Sequence, residues 1–215
     1  MPFRTEFDHT LQLEAAVAGA VFLGVVGLLA FSLVRYRATR PGAPSQHTEH
    51  PRLEAAIAAA LLAVALVIVF VTRAAMAADN RAPARVALTV RVTGFQWCWS
   101  FGYTGTPVTV TAPCMAGQYP TLVVPAGEPI RVETTSRDVI HSFWVPAFRF
   151  KMDAFPDHVN SFVMTIPHTG VWMGHCAEFC GERHAFMTFH LRAVTPADFS
   201  AWLSSRTADA AEAHP

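Results

Sequence analysis

Two uncharged apolar runs, Ala15–Val34 and Ala55–Thr72, limit what this chain can fold into more than any other feature of it. The first is long enough to cross a bilayer as a helix, which takes about 20 residues, and its only hydroxyl is Ser32. The second is shorter. It reaches spanning length if it continues past Arg73 to Ala78, the arginine stem snorkelling along the apolar surface. Neither run has the polar face that a surface helix of a soluble bundle needs, and the first is longer than the apolar core of a secretory signal. Residues 1–78 are therefore expected to form an N-terminal segment and a transmembrane hairpin. Arg35, Arg37, Arg40 and Arg52 lie in the connection, against Arg73, Arg81 and Arg85 after the second run. That bias puts the connection in the cytoplasm and everything after about Ala78 outside.

Beyond the hairpin the pattern changes to alternation. Val86, Leu88, Val90 and Val92 fall on one face and Thr89, Arg91 and Thr93 on the other, the mark of a half-buried strand. Further strands are expected at 108–111, 121–124, 130–134, 162–166 and 187–193, with turn signals in Pro125-Ala126-Gly127 and Pro167-His168-Thr169-Gly170. Short strands and frequent turns point to an antiparallel sandwich or barrel over residues 79–194. Thr195-Pro196-Ala197-Asp198 reads as a helix N-cap followed by proline, so residues 195–215 are expected to hold a short helix through Trp202 and a disordered tail. Sixteen basic residues balance sixteen acidic ones, which gives no general attraction to nucleic acid.

The densest chemistry lies in His175-Cys176-Ala177-Glu178-Phe179-Cys180-Gly181-Glu182-Arg183-His184-Ala185-Phe186-Met187. Thiolate, thioether and imidazole together suit copper. Two thiolates can bridge two metal ions, but this loop supplies only one convincing imidazole. His141, beyond a strand and among apolar residues, is the best source of another; His175, next to Cys176, ranks lower, and His168 and His190 read as structural or exposed. Spacing alone leaves two rivals open. Zinc could take Cys176, Cys180, His184 and a fourth ligand but would leave Met187 idle. A Cys176–Cys180 disulfide would suit an oxidising compartment but leaves the histidine and methionine unexplained.

The stretch from Cys176 to Met187 resembles, without a gap, the copper motif Cys-x-Glu-x-Cys-x-x-x-His-x-x-Met of cytochrome c oxidase subunit II. Asp138-Val-Ile-His-Ser-Phe-Trp-Val-Pro, Lys151-Met-Asp-Ala-Phe-Pro and Gln96-Trp97-Cys98-Trp99-Ser100 resemble the same family, in the same order. The resemblance implies a membrane-anchored all-β protein: a two-helix transmembrane hairpin, then a cupredoxin-like antiparallel β-sandwich outside the plasma membrane. It implies a binuclear copper A centre held by the side chains of His141, Cys176, Cys180, His184 and Met187 and the carbonyl of Glu178. The Glu178 carboxylate would reach a magnesium ion shared with the catalytic subunit, a hard cation suited to oxygen donors. Trp97 would receive electrons, whereas Trp99 reads as strand packing. Implied partners are a c-type cytochrome, the haem–copper catalytic subunit I where oxygen is reduced and protons are pumped, and other oxidase subunits.

Two further carry-overs concern acidic residues. Glu54 resembles an acid at the mouth of a proton path, and an interfacial acid at a helix N-terminus would look the same. Asp138, Asp153 and Asp157 resemble or adjoin cytochrome-docking acids, although each could be a plain surface charge. The chain also departs from the family. Cys98 stands where the family has tyrosine, Cys114 has no counterpart in the motif, and a disulfide between them is permitted outside the cytoplasm. Pro156-Asp157-His158 stands where relatives have Pro-Gly-Arg, which puts that arginine's partner contact in doubt. No Cys-x-x-Cys-His haem-attachment motif is present. Two other functions share parts of this pattern: the copper subunit of a nitric oxide reductase, and a membrane-anchored copper-binding or assembly protein. The second would need open, exchangeable coordination, whereas six donors make a closed set.

Overall fold

Both apolar runs are helical. Helix α1 runs over Pro2–Arg35 and α2 over Pro51–Asp79, so each extends beyond the run that marks it. In this computed structural model, which describes residues 2–37, 49–79, 85–114 and 117–212, the helices belong to one unit, Glu6–Asp79, and Asn80–Pro215 to another. The apolar stretches Phe7–Arg35 and Pro51–Ala74 contain no buried residue, and Phe22, Leu33 and Phe70 are 66%, 74% and 75% exposed. Helices of a soluble core would bury such side chains, so this surface is built for lipid or for other helices. Arg40 and Arg81, used in the orientation argument, lie outside the described residues.

The second unit is a sandwich of two five-stranded sheets. Its strands are β1 (Leu88–Phe95), β2 (Cys98–Tyr103), β3 (Thr109–Thr111), β4 (Thr121–Pro125), β5 (Pro129–Ser136), β6 (His141–Val145), β7 (Phe150–Ala154), β8 (Asn160–Thr165), β9 (Gly170–Cys176) and β10 (Thr188–Val194). One sheet has the order β3-β2-β1-β5-β8 and the other β4-β10-β9-β6-β7. The alternation seen in the sequence is real: Leu88, Val90 and Val92 are buried, as are Ile130, Val132 and Thr134 on β5. Most pairings are antiparallel as expected, but β1 pairs with β5, and β4 with β10, in parallel. Parallel neighbours need long crossovers, and a local hydrophobic pattern does not encode which distant strand a crossover reaches.

The core between the sheets is aromatic. Phe143 stacks on Phe189 at 4.7 Å, and Trp99 meets both edge-on at 6.1 and 5.7 Å. Trp99 is fully buried, in keeping with a packing role. The final helix, α3 (Pro196–Glu212), is capped as expected, the Asp198 N–H donating to Thr195 Oγ1 at 3.1 Å. It lays Trp202 against Tyr103 at 5.1 Å. It does not stop near Trp202 but continues to Glu212 where a disordered tail was expected. The reason is local: Ala208, Ala210 and Ala211 are strong helix formers, and Arg206 and Asp209 form an (i, i+3) pair at 3.7 Å.

Cys98 and Cys114 are joined as a disulfide, with Cα atoms 5.5 Å apart. The bridge ties the start of β2 to the segment after the three-residue edge strand β3 and closes a loop with a sequence separation of 16. Loop closure of that length restricts the unfolded chain by about 3 kcal/mol. A Cys114→Ser chain is therefore expected to lose stability of that order. A denaturant midpoint equal to that of the parent would contradict this.

Candidate metal centre

Two strand ends and one loop build the site. Cys176 closes β9, and residues 177–187 return to β10. The Cys176 N–H donates to the Met187 carbonyl at 3.0 Å, which pins the two ends of this return together. The Ala177 N–H reaches the Ser142 carbonyl at 3.0 Å, which ties the return to β6. Within it Gly181 takes φ +116°, a left-handed conformation open mainly to glycine. His184 begins a single 3₁₀ turn that ends at Phe186. His141 is the first residue of β6, delivered from the other side.

These elements bring five side chains together. Cys176 Sγ and Cys180 Sγ are 3.8 Å apart, both buried and unbridged. His141 Nδ1 lies 3.8 Å from Cys176 Sγ, and His184 Nδ1 3.5 Å from Cys180 Sγ. Met187 Sδ is 3.7 Å from Cys180 Sγ, and the Glu178 carbonyl oxygen 3.2 Å from Cys176 Sγ. His175 instead packs beside Trp144 and His190 beside Tyr119.

The donor set fits soft metal ions. Two thiolates about 2.3 Å from one tetrahedral metal stand roughly 3.8 Å apart, and a second metal on the far side of the sulfur pair meets the same separation. Two imidazoles, two thiols, a thioether and a carbonyl exceed what one tetrahedral ion takes. A buried thioether aimed at a thiol suits copper and does nothing for zinc.

The surroundings prepare the donors. Asp138 Oδ1 lies 2.8 Å from His141 Nε2, which leaves Nδ1 facing the sulfurs. Its other oxygen accepts the Gln96 N–H at 2.7 Å. Burial would raise the Asp138 carboxyl, but hydrogen bonds from Gln96, His141 and Val139 outweigh it and hold the group below its ordinary value. Asp138, which the sequence marks as a possible docking acid, turns its carboxylate to His141 yet stays exposed, as does Asp157, while Asp153 is half-buried. Burial alone would lower His141, yet its bonds to Cys176 and Asp138 raise it. Cys176 is lowered despite burial, because His141 and the peptides of Glu178 and Ser142 hydrogen-bond its sulfur. Cys180, buried beside that thiolate, is pushed up to about 12.

Metal binding must therefore expel the Cys180 proton across the neutral range. Affinity for copper, measured by chelator competition, is expected to rise by at least about tenfold per pH unit through the neutral range, because Cys180 keeps its proton throughout it. The slope steepens on the acid side, where His141 must also lose its proton. A flat profile would contradict the titration order.

Trp97 is half-buried, and its indole N–H donates to the Cys180 carbonyl at 3.0 Å. Gln96 Nε2 donates to the same oxygen at 2.8 Å, a contact that no sequence spacing foretold. The Glu178 side chain is exposed. Glu54 lies in the first turn of α2, where its carboxylate accepts the His50 N–H at 3.1 Å.

Residues 88–194 match the family model described as cytochrome C oxidase subunit II, periplasmic domain. A probable cytochrome c oxidase subunit 2 of Streptomyces avermitilis is 30% identical over 237 residues, which cover 91% of this chain and 74% of that one. The chain belongs to the cytochrome c oxidase subunit II family. A Rickettsia conorii relative described as a probable subunit 2 is 28% identical over 95% of this chain and 69% of its own length. The crystal structure of the periplasmic domain of subunit II of the Bradyrhizobium japonicum oxidase superposes with a TM-score of 0.54 at 34% identity. It covers 58% of this chain and 96% of that one. A second solved structure, a mixed disulfide between a thioredoxin-like protein and subunit II of cytochrome c oxidase, gives a TM-score of 0.53 at 33% identity, covering 60% and 97%. As a subunit II, the chain is a membrane-anchored part of an oxidoreductase complex, and its buried His141, Cys176 and Cys180 form a cluster suited to copper.

Proposed function

We propose that this chain is the electron-input subunit of a terminal oxidase. It takes single electrons from a c-type cytochrome and hands them, through a binuclear copper A centre, to a haem–copper catalytic subunit that reduces oxygen and pumps protons. The observation that carries this reading is the convergence of six donors around two buried sulfurs 3.8 Å apart. When bound, a copper pair would supply one-electron redox chemistry.

The residues of the chain set the conditions for it. Cys176 and Cys180 would hold the copper through their sulfurs, His141 and His184 through their imidazoles, and Met187 and the Glu178 carbonyl would be the weaker donors. Asp138 holds the His141 ring in orientation, and the aromatic wall of Trp99, Phe143 and Phe189 keeps water away. Trp97 sits between the surface and Cys180, where it can pass an electron inward. The exposed Glu178 carboxylate would take a magnesium ion against the catalytic subunit, while Asp153 and Asp157 would help to dock the cytochrome. Glu54 would stand at the mouth of a proton path as well as cap α2. The hairpin would lie in the plasma membrane with the copper domain outside, and a thioredoxin-like dithiol protein, as seen with a relative, would keep Cys176 and Cys180 reduced.

Copper content of the purified full chain tests the reading. Two copper ions per chain, retained on passage over a chelating resin, are expected. One exchangeable copper would instead favour a copper-binding or assembly protein.

A further inference from the structure

We infer that Gly94 is a positioning residue for His141. Gly94 lies within β1, paired with Trp99 of β2 and Ser136 of β5, and a glycine inside a strand weakens it. A Cβ placed there would stand 2.8 Å from His141 Cδ2 and 3.0 Å from both Cβ and Cγ. These are its three nearest heavy atoms, and they belong to the root and ring of the side chain, which cannot swing away as a flexible tip would.

The ring is held on its other sides too. Nε2 meets Asp138 Oδ1 at 2.8 Å, Trp99 stands edge-on at 6.0 Å, and Nδ1 faces Cys176 Sγ. The imidazole lies directly against the bare backbone of β1 because no side chain is there. The same residue also steadies the ring indirectly. The Gly94 carbonyl accepts the Arg137 N–H at 3.0 Å, which anchors the loop that presents Asp138.

Gly102, on β2 of the same sheet, is the natural control. A Cβ there would meet nothing nearer than 3.9 Å.

The test is a thermal-unfolding cycle on the metal-free full chain in detergent, with Gly94→Ala, His141→Ala, the double variant and Gly102→Ala. Gly94→Ala is expected to lower the Tm by several degrees in the parent and by less than half as much beside His141→Ala, where the ring is gone. Gly102→Ala should leave the Tm near that of the parent. An equal loss with and without His141 would overturn the inference. If Gly94→Ala alone does not fold, a folded double variant supports the contact and an unfolded one overturns it.

A second readout rests on the proposed copper centre. Copper-loaded Gly94→Ala should show a shifted absorption spectrum and potential, while Gly102→Ala keeps both. A parent chain with no copper spectrum would defeat the proposed function, yet the Tm cycle would still judge Gly94.

Discussion

A Cys180→Ser chain is expected to hold no copper pair. Cys180 Sγ is the meeting point of the site, 3.8 Å from Cys176, 3.5 Å from His184 Nδ1 and 3.7 Å from Met187 Sδ. A serine hydroxyl fills the space but offers a hard oxygen that stays protonated, so it cannot bridge two soft ions. Loss of an outer partner of a metal ligand costs roughly 10–100-fold in affinity, and loss of a bridging ligand should cost far more. The metal-free fold should survive, since one buried atom changes and single substitutions of this kind cost about 1–3 kcal/mol. Metal analysis and the absorption spectrum decide. Two retained coppers with an unchanged spectrum would falsify the ligand assignment.

On the proposed function, Trp97→Ala should leave copper in place and slow electron delivery from a reduced c-type cytochrome on the order of a hundredfold, since even a 1 Å misplacement can cost that much. The route that the indole offers is short. One hydrogen bond joins its ring nitrogen to the Cys180 carbonyl, and the backbone and Cβ of that residue lead to the sulfur. Alanine removes the ring and leaves the Cys180 carbonyl with Gln96 as its remaining side-chain donor. Stopped-flow reduction, with copper content measured in parallel, separates the two readings of Trp97. Loss of copper would make it a packing residue of the 177–187 loop.

Much of this was legible in the sequence, because much of it is local. Uncharged runs mark helices by length, Leu88-Thr-Val-Arg-Val marks a strand by alternation, and Cys176 to Met187 carries most of the proposed ligands within one loop. Four strands gave no usable local signal. In β2 and β6 nearly every side chain is buried, so no alternation shows; β7 is largely part-exposed; and β9 runs straight into the cysteine cluster. His141 could be chosen among the histidines by its apolar neighbours, but its orientation could not. That depends on Asp138, on Gln96 and on the missing side chain at Gly94, which are brought together by pairing between β1 and β5 across more than forty residues. Contacts of that kind have no spacing to read.

The cysteines divide unequally: Cys98 and Cys114 are bridged, while Cys176 and Cys180 are free. A chain with four thiols in one small domain thus has to finish its biogenesis with opposite outcomes for its two pairs. An oxidant that closes every pair would yield a well-folded protein with no seat for metal. A reductant strong enough to open every pair would free the proposed ligands and loosen the start of β2, next to the turn that holds Trp97. The order in which the pairs are closed, spared and loaded is therefore a quality-control problem that the mature protein must already have solved.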